Sequence, residues 1–195
     1  MISTFTAFID SNVFHGARLR SLIIELAQSG LFRARWSERV HEEWMKSVGR
    51  RRPDIDLAKL VHYREQMDLA VPNALVSCYE QFITSIDLPD PDDRHVVAAA
   101  HAARASVIVT FNGKHFPAEV LAPLGLHAEH PDQFLLDLAD LEPEAFLNAV
   151  QADLKHYRSP PLTADAYAVD LRKAGLPDCA DELIRLVRVQ RSAMK

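Results

Sequence analysis

Asp10, Glu43, Asp93 and Asn112 lie far apart in the chain, yet each falls where a coarse reading puts the end of a strand or the first turns of a helix. That placement gathers oxygen donors at one edge of a sheet, the set that hard divalent cations and phosphodiester chemistry require. Three carboxylates in one pocket repel each other and raise at least one pKa unless a cation compensates, so the cluster predicts bound Mg²⁺ or Mn²⁺. Each residue also has a plainer reading. Asp10 can be a turn residue, Asp90, Asp92 and Asp93 can satisfy a helix N-terminus, Glu43 can be a surface carboxylate, and Asn112-Gly113 is a turn signal in its own right. For Asp90 the capping role is the preferred one. Joint placement at one sheet edge favours chemistry for the others.

The elements that position these residues alternate. Thr4 to Ile9 is a short β-branched and apolar run that stops at Asp10, followed by Ser11 and Asn12 as helix caps and the periodic Leu19, Leu22, Ile23 and Leu26. Leu31 to Trp36 reads as a second strand. Ser37 then opens a helix with Val40, Trp44 and Val48 on one stripe, and Glu43 borders that stripe while Glu42 turns about 100° away. Pro53 precedes two amphipathic helical patterns, Ile55 to Ala70 and Asn73 to Ile83. In IDLPDPDD, Asp90 is the N-cap, Pro91 the first helical residue, and Asp92 and Asp93 fill the first turn. Asp93 shares its helical stripe with Val97 and Ala100, which turns it inward. SVIVTF is an all-apolar run of the kind buried on both faces in a parallel sheet.

A short helix at Pro117 to Ala122, a strand near Leu126 to Ala128 and a helix from Pro131 to Leu138 complete the alternation, which predicts an α/β fold with a parallel sheet flanked by helices. Beyond Glu142 only helices follow, at Pro143 to Tyr157, Thr163 to Ala174 and Pro177 to Gln190. The expected division is therefore an α/β domain over residues 1–140 and a helical C-terminal extension over residues 141–195. If the first strand and SVIVTF are neighbours, as right-handed crossovers permit, Asp10, Glu43, Asp93 and Asn112 converge.

Composition narrows the class. A chain of 195 residues with 48% apolar content can bury a real core. Its longest apolar run, near Ser106 to Phe111, is far below the roughly 20 residues a membrane span needs, and MISTFTAF lacks a basic flank, so a cytoplasmic protein without membrane contact is expected. Cys78 and Cys179 have no CxxC spacing and read as buried or half-buried residues in helical segments. The net charge of −5 disfavours a nucleic-acid partner, but charge is unevenly spread: between Arg33 and Arg52 seven basic residues face three acidic ones. A basic flank beside an acidic cluster suits a site that holds a metal and approaches a polyanion.

Among polar neighbours, Ser11 and Thr110 can hydrogen-bond a carboxylate or a metal-held water. Lys114 and His115, with Arg50, Arg51 and Arg52, can contact phosphate or remain solvated. His95 and His101 read as surface or packing residues, and Trp36 and Trp44 as core. No HExxH or paired helical spacing suits zinc.

FIDSNVF around Asp10, WSERVHEEW around Glu43, LPDPDDRHVVAAAHAARASVIVTFNGKHFP around Asp93 and Asn112, and GLHAEHPDQFLLDL together resemble the PIN domain, and within it the VapC-like toxins of type II toxin-antitoxin pairs, over about residues 3 to 138. The resemblance implies a Rossmann-like fold, Mg²⁺- or Mn²⁺-dependent endoribonuclease activity on an RNA substrate, a cognate antitoxin that covers the acidic site, and homodimers. By the family pattern Asp10, Glu43 and Asp93 are the metal ligands. Many members carry a fourth acid where this chain has Asn112. An amide can ligate through its oxygen but brings no charge, so one strong metal site and a weaker second are expected, with Asp90 and Asp92 as spare carboxylates. A phosphoacceptor receiver domain also uses strand-end acids, a Thr and a Lys, but it needs an acid pair after the first strand, where Asp10 is followed by Ser11 and Asn12. A catalytically degenerate PIN-fold module that binds RNA or protein is the remaining alternative, encouraged only by Asn112.

Overall fold

A computed structural model describes residues 5–158 and 160–193 of the chain. The elements run β1 (Thr6–Ile9), α1 (Ala17–Gln28), β2 (Arg33–Ser37), α2 (Glu38–Arg51), α3 (Leu57–Ala70), β3 (Leu75–Val76), α4 (Glu80–Ile83), α5 (Arg94–Ala102), β4 (Val107–Val109), α6 (Ala118–Leu121), β5 (His127–Glu129), α7 (Pro131–Leu141), α8 (Pro143–Leu154), α9 (Ala164–Lys173) and α10 (Pro177–Ala193). Short 3-10 turns at Ser11–Phe14, Pro91–Asp93 and Gly113–His115 follow or precede the strands and helices that matter for the site. The residues fall into two compact units. One takes the N-terminal segment up to His15 and Phe32–His130; the other takes Gly16–Leu31 and the chain from Pro131 onward.

In the first unit five parallel strands pair in the order β3-β2-β1-β4-β5. Ala7 lies opposite Val107 and Ile9 opposite Val109, so β1 and SVIVTF are neighbours, as convergence of the acids demands. Phe8, Ile9, Ile108 and Val109 are fully enclosed, the condition of central strands covered on both faces. α5 is buried from His95 to Ala100, and its run of alanines lets it lie across β1, β2 and β4.

Ser37 does cap α2, its hydroxyl accepting from Val40 N at 3.3 Å, and Asp90 does cap the turn Pro91–Asp93, accepting from Asp92 N at 3.0 Å. Trp36 and Trp44 are both at 0% exposure, as core residues should be. Their indole N–H groups close a polar chain: Trp36 Nε1 donates to Asp68 Oδ1 at 2.9 Å, His41 Nε2 lies 3.0 Å from the same oxygen, and Trp44 Nε1 donates to His41 Nδ1 at 2.9 Å. Because Nδ1 accepts, the ring is neutral with its proton on Nε2, and burial, against the pull of Asp68, lowers the His41 pKa in agreement.

The helix expected over Asn73 to Ile83 does not form. Asn73 and Cys78 take left-handed backbone angles, φ 66° and 59°, which an α-helix does not accommodate. Leu75 and Val76 instead extend the sheet beside β2, where Trp36 N donates to Ala74 O at 3.0 Å, and only Glu80–Ile83 is helical. The open edge of β2 needs backbone partners, and that demand outweighs the apolar spacing of the segment. Cys78 is correspondingly exposed in a turn, against the expectation of a buried or half-buried helical residue, whereas Cys179 is buried.

The second unit is helical. α1 packs its stripe Leu19, Leu22, Ile23 and Leu26 among helices that include α8 and α9, and α10 packs on α7 and α9. Asp132 accepts from Asp178 N and Cys179 N at 3.0 and 2.8 Å, capping α10 from another helix. Asp153, at 0% exposure, accepts from Tyr167 OH at 2.5 Å and from the Ser21 hydroxyl, which pushes the Tyr167 pKa well up through burial and the adjacent carboxylate. Among the described residues no helix is long and apolar enough to cross a membrane.

Candidate active site

The strand order reverses at β1, with β2 on one side and β4 on the other, and the crevice outside the carboxyl ends of such strands is where open α/β sheets hold ligands. Asp10 follows β1 directly, and its backbone N–H bonds Val109 O of β4 at 3.0 Å. Its carboxylate is only 4% exposed and is fixed by three donors: Ser11 N to Oδ1 at 2.6 Å, and Asn12 Nδ2 and Thr110 Oγ1 to Oδ2, both at 2.7 Å. Asn12 completes a clamp, donating also to Thr110 Oγ1 at 3.0 Å and accepting from Phe111 N at 3.1 Å. The ends of β1 and β4 are thus tied through side chains, and Asp10 is held in one orientation.

Glu43 reaches the site from the second turn of α2. Arg39 Nε sits 3.3 Å from its Oε1 one helical turn away, and His95 Nε2 lies 2.9 Å from the same oxygen. Asp93 enters at the end of the Pro91–Asp93 turn, with Oδ2 2.7 Å from His115 Nδ1. Asp90 Oδ2 is 3.8 Å from that nitrogen, and Asp90, Asp93 and His115 each offer a ligand atom within 4.8 Å of the others.

Electrostatics shows that the three acids share one field. Burial pushes Asp10 up from 3.8 to about 6, with the charges of Asp93 and Glu43 adding to the rise and the Thr110 and Ser11 hydrogen bonds opposing it. Asp93 is also raised, by burial and by Asp90, despite His115. For Glu43 burial acts upward, but His95, Ser11 and Arg39 together outweigh it and bring the pKa below its ordinary value. Two acids raised by burial, with a third held ionised, are the donor chemistry that a hard dication takes, but among the described residues the acid and histidine ligand atoms lying within 4.8 Å of one another belong to Asp90, Asp93 and His115, and Asp10 and Glu43 stand outside that group.

This arrangement sets a pH dependence. Asp10 binds its proton more tightly folded than unfolded, so between about pH 4 and 6 the folded chain carries more protons and loses stability as pH rises; above that window the cost is of the order of 3 kcal/mol. His41, lowered by burial, acts oppositely, removing stability as pH falls below its ordinary 6.5. Relative to Asp10→Asn, which leaves His41 in place, the metal-free protein is expected to lose stability as pH rises from 4 to 6, and Mn²⁺ should raise its melting temperature at pH 7.5 but not at pH 4.5. An Mn²⁺ shift of equal size at both values would show that Asp10 is not a ligand.

The remaining expected residues are placed as follows. Asn112 is exposed; its N–H donates to Thr110 Oγ1 at 3.0 Å and its carbonyl starts the Gly113–His115 turn. Asp92 is exposed, and its carbonyl accepts from Arg39 Nη2 at 3.3 Å. Lys114 is exposed in the same short turn as His115. Arg50, Arg51 and Arg52 are exposed at the end of α2, about two helical turns beyond Glu43, with Arg52 paired to Asp54 at 2.6 Å. Sequence reasoning missed Asn12 as the clamp of Asp10, Arg39 as a partner of Glu43, and His95 and His115 as neighbours of the acids. Spacing carried a signal for two of them: Asn12 is two residues after Asp10, and Arg39 is four before Glu43.

Comparison with known proteins identifies the family. The family model described as PIN domain matches residues 6–114, and the one described as VapC50 C-terminal domain matches residues 131–185. A Mycobacterium tuberculosis protein named "Putative ribonuclease VapC50" is 51% identical over 71 residues, a match that covers 36% of this chain and 42% of that protein. No solved structure gives a significant match.

Proposed function

The chain belongs to the PIN domain family, and from that premise we propose that it is a Mg²⁺- or Mn²⁺-dependent endoribonuclease, the toxin of a type II toxin-antitoxin pair acting in the cytoplasm. The observation that supports this most is the buried Asp10 carboxylate, held in one orientation by Ser11, Asn12 and Thr110 where the neighbouring strands β1 and β4 end. A divalent ion held by Asp10, Glu43 and Asp93 would supply a water that is nucleophilic at neutral pH and charge neutralisation for the leaving oxygen. The protein's own part is orientation. Asp10 is fixed by Ser11, Asn12 and Thr110, Arg39 pairs with Glu43, and His115 meets Asp93. Lys114 and the Arg50 to Arg52 run would neutralise RNA phosphates flanking the scissile bond. A cognate antitoxin would cover the acidic crevice, and a homodimer is the expected assembly.

The relative's name contains "ribonuclease", which supports the substrate class, and Asp90 and His115 beside Asp93 offer a second cation a nitrogen donor in place of the missing acid at Asn112. Imidazole suits Mn²⁺ better than Mg²⁺, so Mn²⁺ is the expected stronger activator. The test is RNA cleavage by purified, metal-stripped protein. Cleavage should return with Mn²⁺, return more weakly with Mg²⁺, and vanish with EDTA; undiminished cleavage in EDTA would overturn the proposal. A non-catalytic module would leave RNA intact with either ion.

A further inference from the structure

His95 lies in the first turn of α5, two residues after Asp93, and its ring is shut off from solvent, with a side-chain exposure of 0%. Nε2 approaches Glu43 Oε1 to 2.9 Å, yet its N–H is not aligned for a hydrogen bond, and Nδ1 has no hydrogen-bond partner among the described residues. A buried ring nitrogen without a partner costs stability, and packing alone would be served better by an apolar side chain. The ring's place is nevertheless rigid, because α5 is buried along this stretch and lies across three strands.

Glu43 needs such an anchor. It borders the apolar stripe of α2 on a long, flexible side chain, and of its partners Arg39 is 43% exposed, so that ion pair holds weakly. We propose that His95 is a positioning residue for Glu43: it meets Oε1 from the buried side and fixes the carboxylate toward the crevice shared with Asp10 and Asp93. The inference rests on the metal-dependent reading above and deepens it by naming the residue that sets the geometry of one ligand. Outer contacts of this kind typically change metal affinity by about 10- to 100-fold.

Mn²⁺ affinity of the metal-stripped full chain, read by electron paramagnetic resonance, tests it, with the melting temperature of the metal-free protein as a parallel readout. His95→Gln places an amide nitrogen near the position of Nε2, whereas His95→Asn reaches only as far as Nδ1 and His95→Phe offers no polar atom. The Phe and Asn variants should bind Mn²⁺ about 10- to 100-fold more weakly, the Gln variant close to wild type, and the Phe variant should melt no lower than wild type. Wild-type affinity in both the Phe and Asn variants would overturn this inference alone. Equal loss in all three variants together with a lowered melting temperature would assign His95 to packing and overturn it too. A wild-type protein that binds no Mn²⁺ would overturn the metal reading along with it.

Discussion

Asp10→Asn should lower metal-dependent RNA cleavage by about three orders of magnitude while leaving the fold intact. The amide has the shape of the carboxylate, so Ser11 N keeps its acceptor, while the new NH2 meets the Asn12 amide and a Thr110 oxygen that already accepts from Asn12 and Asn112, a local loss of hydrogen bonds within an otherwise unchanged sheet edge. What is lost is the charge. A ligand-held divalent ion contributes several kcal/mol to the transition state, and at about 1.36 kcal/mol per decade a loss of roughly 4 kcal/mol gives the stated factor. Single-turnover cleavage at saturating Mn²⁺, with circular dichroism as a check on folding, measures it. A loss under about tenfold would remove Asp10 from the machinery and with it the argument from the β1 and β4 crevice.

Trp44→Ala should cost about 3–5 kcal/mol of folding stability, the usual range for removing a fully buried large aromatic side chain. Trp44 is at 0% exposure, packs edge-on to the His41 ring, and donates the hydrogen bond that fixes that ring's tautomer. Truncation opens a void and strips His41 Nδ1 of its donor, and His41 in turn contacts Asp68, which also accepts from Trp36. A domain with roughly 5–15 kcal/mol in hand would be left marginal. Urea unfolding followed by the remaining tryptophan fluorescence gives the value; a change below about 1.5 kcal/mol would mean that the site collapses around the void and that the polar chain carries little.

Legibility in the sequence followed how local the signal was. β1, α2, β4 and the helices beyond residue 131 were readable because caps, strand-like apolar runs and helical periodicity all lie within a few residues: Ser37 and Asp90 cap where expected, and SVIVTF carries β4 in the middle of the sheet. The segment from Asn73 to Ile83 was misread because its conformation is set by the free edge of β2, a partner about 40 residues away. Asp10, Glu43 and Asp93 were legible as acids at element ends. His95 was not, since a histidine among alanines on a buried helix has the same local pattern whether it fills space or faces a carboxylate. His115 was visible as a polar loop residue, but its contact with Asp93 depends on a turn after β4 meeting a turn before α5.

The helix α1 is made early and used late. It follows β1 in the chain, yet its apolar stripe packs on α8 and α9, whose residues begin more than a hundred positions downstream. At about 5–20 residues per second, a nascent chain would carry that stripe uncovered for roughly 5–20 s before its partners leave the ribosome. Such distant pairing slows folding and favours chaperone capture. A gene fragment ending at residue 140 would make the wait permanent.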